Sequence, residues 1–286
     1  MTPNGVLVVD KPAGMTSHDV VDRVREIFAT RKVGHAGTLD PDATGILVLG
    51  LGTATRLLSF AQEGPKRYAA EAVFGRTTTT QDASGEVIET KPVDVDEKDI
   101  RRALARFVGE IEQIPPMVSA VKVGGERLYK KARRGETVER KPRSVIIHDF
   151  ALTGFDENGE SASFDVVCSP GTYVRTLVFD LGQELGCGAH LAGLRRTQAS
   201  GFGEDDAVPL DEVTPQTLRP TLEIVRSLPD LKLDIEAAAL VGDGRPLPAA
   251  DGIEEGGKVA LVHDGELMAV YERKGSKLVA HKVLPR

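Results

Sequence analysis

The 286-residue sequence predicts an α+β protein, and three features carry that reading. Strand-like and helix-like segments interleave from Gly5 to about Ala199. A hairpin signal, Asp156-Glu157-Asn158-Gly159, joins two of the strands. The last stretch is different: Val259 to His263, Leu267 to Tyr271 and Leu278 to Val283 are short strands joined by Asp264-Gly265 and Lys274-Gly275 turns, which makes a small all-β module.

Taken in order, Gly5 to Val9 is β-branched-rich and reads as a strand that Lys11-Pro12-Ala13-Gly14 breaks. Thr16-Ser17 then offers an N-cap, and Val20, Val21, Val24, Ile27 and Phe28 recur at helical spacing, predicting a helix from Ser17 to Phe28. Residues 34–45 hold three glycines, two threonines and a proline around His35 and Asp40, so an irregular loop is expected. Ile46 to Leu49 is a buried strand, and a short helix begins near Thr53. Arg67 to Phe74 is a strand, and polar Thr77 to Gly85 a loop. Asp96 caps a helix with Ile100, Ala103, Leu104, Phe107 and Val108 on its buried face, stopped by Gly109. A turn at Gly124-Gly125 and a short helix from Leu128 to Arg134 follow. Past the hairpin, Thr172 caps a helix bearing Val174, Leu177, Val178, Leu181 and Leu185, which Gly186 and Gly188 end. Leu194 to Ala199 is a strand.

Composition narrows the function classes. No apolar run reaches the ~18 residues of a membrane span, and the first five residues lack the layout of a signal peptide. A soluble cytoplasmic protein is expected. Cys168 and Cys187 lack zinc-site spacing, and no two histidines sit at i, i+4, which argues against a disulfide framework or a metal enzyme. No Gly-x-Ser-x-Gly elbow is present. Gly50-x-Gly52-x-x-Thr55 lacks the third small residue of a dinucleotide fingerprint. The net charge of −7 hides a contrast: residues 117–146 hold nine basic and three acidic residues, a +6 island suited to phosphates.

Among single residues, Asp40 stands out. Asp-Pro pairs are ordinarily turn formers. Here the aspartate has glycines on both sides, a histidine five residues earlier and no long element to cap, and the following proline restricts its backbone. A covalent nucleophile needs such positioning. Arg175 falls in the first turn of a helix, where the macrodipole disfavours a cation, which points to a specific partner. Tyr68 at a strand start is, on its own, an ordinary edge aromatic.

These residues together resemble a known family. Gly34-His35-Ala36-Gly37-Thr38-Leu39-Asp40-Pro41 with Ala43-Thr44-Gly45 resembles the signature of the bacterial tRNA pseudouridine-55 synthases of the TruB type. Asp10-Lys11-Pro12-x-Gly14-x-Thr16-Ser17 is similar to the family's first motif, and Lys66-Arg67-Tyr68 to its tyrosine motif. Gly171-Thr172-Tyr173-Val174-Arg175-Thr176 resembles its arginine motif, and Gly188-Ala189-His190-x-x-x-Leu194-Arg195-Arg196 its leucine motif. They stand in the family's order across residues 5 to about 202.

The resemblance implies a catalytic domain over 1–210 around a mixed, largely antiparallel sheet. A basic RNA-gripping insertion at about 117–146, a connecting region at 211–232 and a PUA-like RNA-binding module at 233–286 complete the expected layout. It implies a cofactor-free, metal-free isomerisation of the T-loop uridine of tRNA, flipped out of its stack, by a stand-alone monomer. Asp40 would be the nucleophile, Arg175 its ion partner, and Tyr68 the ring stacked on the base. His35 would fill the vacated space, while Tyr173 and Leu194 line the pocket. Lys122, Arg127, Lys130, Lys131 and Arg133 would meet phosphates, and Lys11 and Pro12 would be structural. A tRNA-folding chaperone without essential chemistry and a related synthase with another RNA target remain the alternatives.

Overall fold

A computed structural model describes residues 3–285 apart from 120, 129, 130, 132, 133, 137 and 157, and the side chains of 122, 123 and 127 lie outside that description. The chain forms two compact units: Met1–Pro41, Gly45–Gly64 and Gln198–Arg286 make the first, and Asp42–Thr44 with Pro65–Thr197 the second.

In the first unit, strand Gly5–Lys11 pairs antiparallel with Thr44–Leu51 and parallel with Val208–Pro209. Val33–His35 adds to Thr44–Leu51. Both faces of these strands are covered, which is why their sequences read as unbroken apolar runs. Alternation sends Leu7, Val9, Leu47, Leu49 and Leu51 to one side, against Val20, Val21 and Val24 of helix Ser17–Ile27. It sends Val6, Val8, Ile46 and Val48 to the other, against Leu57, Phe60, Phe202, Ile224 and Val225. Each side chain so buried is worth ~1.5–3 kcal/mol. Thr16 caps the helix in a reciprocal capping box with Asp19.

The same unit holds a five-stranded sheet ordered Asp230–Lys232, Lys258–His263, Glu266–Lys274, Lys277–Val283 and Leu247–Pro248. Its own core is Val241, Leu247, Ile253, Val259, Leu261, Ala269, Tyr271 and Leu278. Its other face, through Ala260, Leu267 and Val270, joins the cluster around Phe60. Lys258 fastens this contact, lying 5.3 Å from the Phe60 ring centre and bonded to Glu63 at 2.8 Å.

In the second unit, strands Gly109–Gln113, Arg143–Phe155, Ser161–Cys168 and Lys66–Phe74 are neighbours in that order, all antiparallel. Strand Ala189–Ala199 lies beside Lys66–Phe74. Along Lys66–Phe74, alternate residues Lys66, Tyr68, Ala70, Ala72 and Phe74 are buried. Helices Glu97–Leu104 and Val174–Glu184 pack on this unit through Ile100 and Leu104 and through Leu177, Val178 and Leu181.

Several expectations change. The loop at 34–45 is strand at both ends, so the irregular part is 36–43. Thr77 and Thr78 belong to a strand, Arg76–Thr78, paired with Val87–Thr90. The Asp96-capped helix ends at Leu104: Phe107 leaves it to meet Phe150 edge-on, and Val108 is exposed. Tyr173, not Thr172, is the N-cap of Val174–Glu184, because the Thr172 hydroxyl donates to the Ser169 carbonyl instead. The strand expected from Leu194 starts at Ala189. Helix Ile235–Gly242 was not expected; Asp234 caps it by accepting from the Ala237 N–H. Leu128 and Lys131 are helical, and the rest of the helix expected around them lies partly outside the described residues. Cys168 and Cys187 are free and buried.

Candidate functional site

The Asp40 loop in the first unit is held by its neighbours on both sides. Ser17, at the start of helix Ser17–Ile27, is buried. Its hydroxyl accepts the Leu39 N–H at 2.8 Å and donates to the Leu39 carbonyl at 3.2 Å. Lys11 is wholly buried, and its ammonium donates to the carbonyls of Pro12, Met15 and Pro41 at 2.8, 2.7 and 2.9 Å. The Gly14 N–H also donates to Pro41. Three donors on one compact cation suit three converging carbonyls, which no planar guanidinium could match. Gly37 and Gly45 have φ of 110° and 96°, a region closed to most side chains. Asp40 is half-buried, with Leu39 and Pro41 both fixed, and His35 is half-buried at the end of its strand. Pro12 is exposed, contributing its carbonyl and its turn rather than burial.

Removing the Lys11 cation would take its donor from the carbonyls of Pro12 and Met15, leave Pro41 with the Gly14 N–H alone, and unpack a wholly buried side chain. Lys11→Met is therefore expected to destabilise the fold by about 3 kcal/mol. Chemical denaturation with an unchanged m-value would check this; a midpoint equal to wild type would refute it.

The second unit gathers Tyr173 and Arg175 at the start of helix Val174–Glu184. Gln113 grips Tyr173 by both backbone groups, accepting its N–H at 3.0 Å and donating to its carbonyl at 3.3 Å. Arg175 is 3% exposed. Its Nη1 donates to Asp82 Oδ2 at 3.0 Å and to the Thr80 carbonyl at 3.1 Å, and Nη2 to the Val118 carbonyl at 2.9 Å. Asp82 Oδ1 in turn accepts from Thr80 Oγ1 and the Ser84 N–H. Next along the helix, Thr176 Oγ1 donates to Gln81 Oε1 at 2.8 Å. The consecutive residues Thr80, Gln81 and Asp82 thus engage the consecutive pair Arg175 and Thr176. The cation placed against the helix dipole has its explanation in these three acceptors. Asp82 and Gln81 were not singled out from sequence; the only signal was an aspartate among Thr and Ser, the composition of an Asx turn.

Tyr68 is 7% exposed on a strand with neighbours on both sides, so it is no edge aromatic. Leu194 is half-buried on the adjoining strand. Lys66 shares the buried face with Tyr68. Burial first, and then the nearby Arg196 cation, push its ammonium pKa down to about 8.

In the basic island, Lys122–Val123 and Glu126–Arg127 form a small hairpin. The side chains of Lys122 and Arg127, and residues Lys130 and Arg133 altogether, lie outside the described residues. Lys131 is described as helical and half-buried. Arg134 is committed internally, bonded to Glu126 at 2.8 Å and Glu136 at 2.7 Å.

Residues 25–174 match the model of the TruB family pseudouridylate synthase N-terminal domain, and 175–229 that of the tRNA pseudouridylate synthase B C-terminal domain. A protein of Thermobifida fusca named tRNA pseudouridine synthase B is 46% identical over 285 residues, covering 96% of both chains. One of Syntrophotalea carbinolica with the same name is 45% identical over 281 residues, covering 93% of this chain and 91% of its own. Among solved structures, a Cbf5-Nop10-Gar1 complex matches with TM-score 0.77 and 29% identity over 99% of this chain and 85% of that one. A chain of an H/ACA RNP bound to a substrate RNA containing 2′-deoxyuridine matches with TM-score 0.76 and 26% identity, at the same coverage. With family models spanning 25–229 and relatives this similar over almost the full chain, the protein belongs to the TruB family of pseudouridine synthases, enzymes of the isomerase class.

Proposed function

We propose that the protein converts the T-loop uridine of tRNA, position 55, to pseudouridine, with Asp40 as the nucleophile. The N1–C1′ bond breaks, the uracil turns, C5 bonds to C1′, and the C5 proton is lost to solvent while N1 gains one. The reaction is an isomerisation, so the atoms balance without a cofactor. Asp40 acts either by adding to C1′ or by driving elimination to a glycal. The observation that carries this reading is the anchoring of both neighbours of Asp40, by Ser17 at Leu39 and by Lys11 at Pro41. A nucleophile so fixed has little ordering left to do when substrate arrives.

Arg175 is proposed to hold Asp40 ionised, since an adjacent cation favours the carboxylate. Tyr68 stacks on the base and Tyr173 and Leu194 line its pocket. The target base must leave its stack to be reached, and His35 takes part of the space it vacates. Lys122, Arg127, Lys130, Lys131 and Arg133 grip phosphates, and the C-terminal β-sheet acts as a PUA-like RNA-binding module. The curated relatives named for tRNA stand at 42–47% identity, against 29% for the Cbf5-Nop10-Gar1 complex and 26% for the H/ACA RNP, which supports a stand-alone tRNA enzyme over a partner-guided one.

The test is mapping of pseudouridine in a T-stem-loop RNA incubated with the pure protein. Modification at the T-loop uridine alone is the expected result, and its absence would overturn the proposal. Neutralising Lys130, Lys131 and Arg133 together is expected to reduce the slope of log affinity against log salt by roughly 2 to 3; an unchanged slope would remove the island from the interface.

A further inference from the structure

Ser119 carries an observation that the chemistry above leaves unused. It is 6% exposed, and its hydroxyl oxygen is buried with no hydrogen-bond partner among the described residues. A buried hydroxyl without a partner is costly, and folded proteins keep few of them. Such a hydroxyl calls for a partner from outside the chain.

Its place in the chain gives the cost a purpose. The preceding residue, Val118, gives its carbonyl to Arg175 Nη2 at 2.9 Å. Six residues upstream, Gln113 holds both backbone groups of Tyr173. Between these pins, Pro115 and Pro116 stiffen the backbone, and the Pro115 carbonyl accepts from Arg140 at 3.0 Å. The segment 113–119 is therefore fastened at both ends to the start of the helix that bears Tyr173 and Arg175. A hydroxyl on a fastened segment is pre-organised, so a ligand that meets it loses little to ordering.

We propose that the Ser119 hydroxyl is a substrate-binding group that hydrogen-bonds a polar atom of the nucleotide being isomerised. This rests on the reading of Tyr173 and Arg175 as part of the uridine site. A hydroxyl both donates and accepts, and the ribose hydroxyls and uracil carbonyls of that nucleotide offer partners of either kind.

The experiment is Ser119→Ala, assayed on T-stem-loop RNA and by thermal unfolding. Loss of one hydrogen bond to substrate is expected to lower kcat/KM about 3- to 10-fold. The unfolding midpoint should equal or exceed that of wild type, because the free protein loses only an unpaired polar atom. Unchanged kcat/KM would overturn the proposal. So would a lowered midpoint, which would mark the serine as structural. Wild type and Asp40→Asn are measured alongside: if Ser119 is misassigned, wild type still forms pseudouridine and Asp40→Asn does not. If the uridine reading is wrong, that contrast itself disappears.

Discussion

Asp40→Asn is expected to bind T-stem-loop RNA with near wild-type affinity and to lose pseudouridine formation by at least ~10⁴-fold, the scale seen when a covalent nucleophile is removed. The amide is nearly isosteric with the carboxylate, but it can neither add to C1′ nor serve as the base of an elimination. The fold should tolerate the change, because the backbone on both sides of Asp40 is anchored by other groups. Ser17 holds the backbone of Leu39, and Lys11 and Gly14 hold the Pro41 carbonyl. Binding measured by filter retention and product measured on the same RNA would separate the two effects. Loss of binding in step with activity would argue that Asp40 is a structural residue of the loop.

Arg175→Met should act on stability and activity together. The side chain is buried, and its guanidinium satisfies three acceptors, one of them the Asp82 carboxylate. Removing one partner of a buried pair leaves the other charge uncompensated, a cost of ~3–5 kcal/mol. Asp82 is partly exposed and keeps Thr80 and the Ser84 N–H, so about 3 kcal/mol is expected, or a fall in Tm of roughly 6–12 °C. Arg175→Lys keeps the charge but not the planar fork, so it should recover part of the stability while remaining poorly active. A Met variant with wild-type Tm would contradict the geometry around Thr80, Asp82 and Val118.

The two residues show what the sequence made legible. The Asp40 loop could be found because glycine and proline chemistry is local: Gly37, Pro41 and their neighbours interrupt regular structure over 36–43, although 34–35 and 44–45 prove to be strand ends, and the Asp-Pro step restricts its own backbone. Helix Ser17–Ile27 was legible for the same reason, since its valine spacing and the Thr16-Ser17 N-cap signal lie within a few turns, and the structure adds the reciprocal bond to Asp19. The partners of Arg175 were not, because Asp82 is 93 positions away and Val118 57, with no periodicity to join them. Lys11 looked like a turn residue, and only the folded loop shows the carbonyl of Pro41, 30 residues on, completing its set of acceptors. Propensity misjudged the Asp96-capped helix because Phe107 gains more by packing on Phe150 than by extending a helical face. It missed Ile235–Gly242 because a short helix of small residues, with Ile235 itself exposed, carries little amphipathic signal.

The proposed role of Asp40 is to isomerise, as a fixed carboxylate, a uridine in T-loop RNA. Release of tritium from C5-labelled uridine at that position tests it most directly, because the label leaves only if C5 forms the new bond. Wild type should release one equivalent per RNA, and Asp40→Asn none on the same timescale. Release by Asp40→Asn at a rate comparable to wild type would rule Asp40 out as the nucleophile.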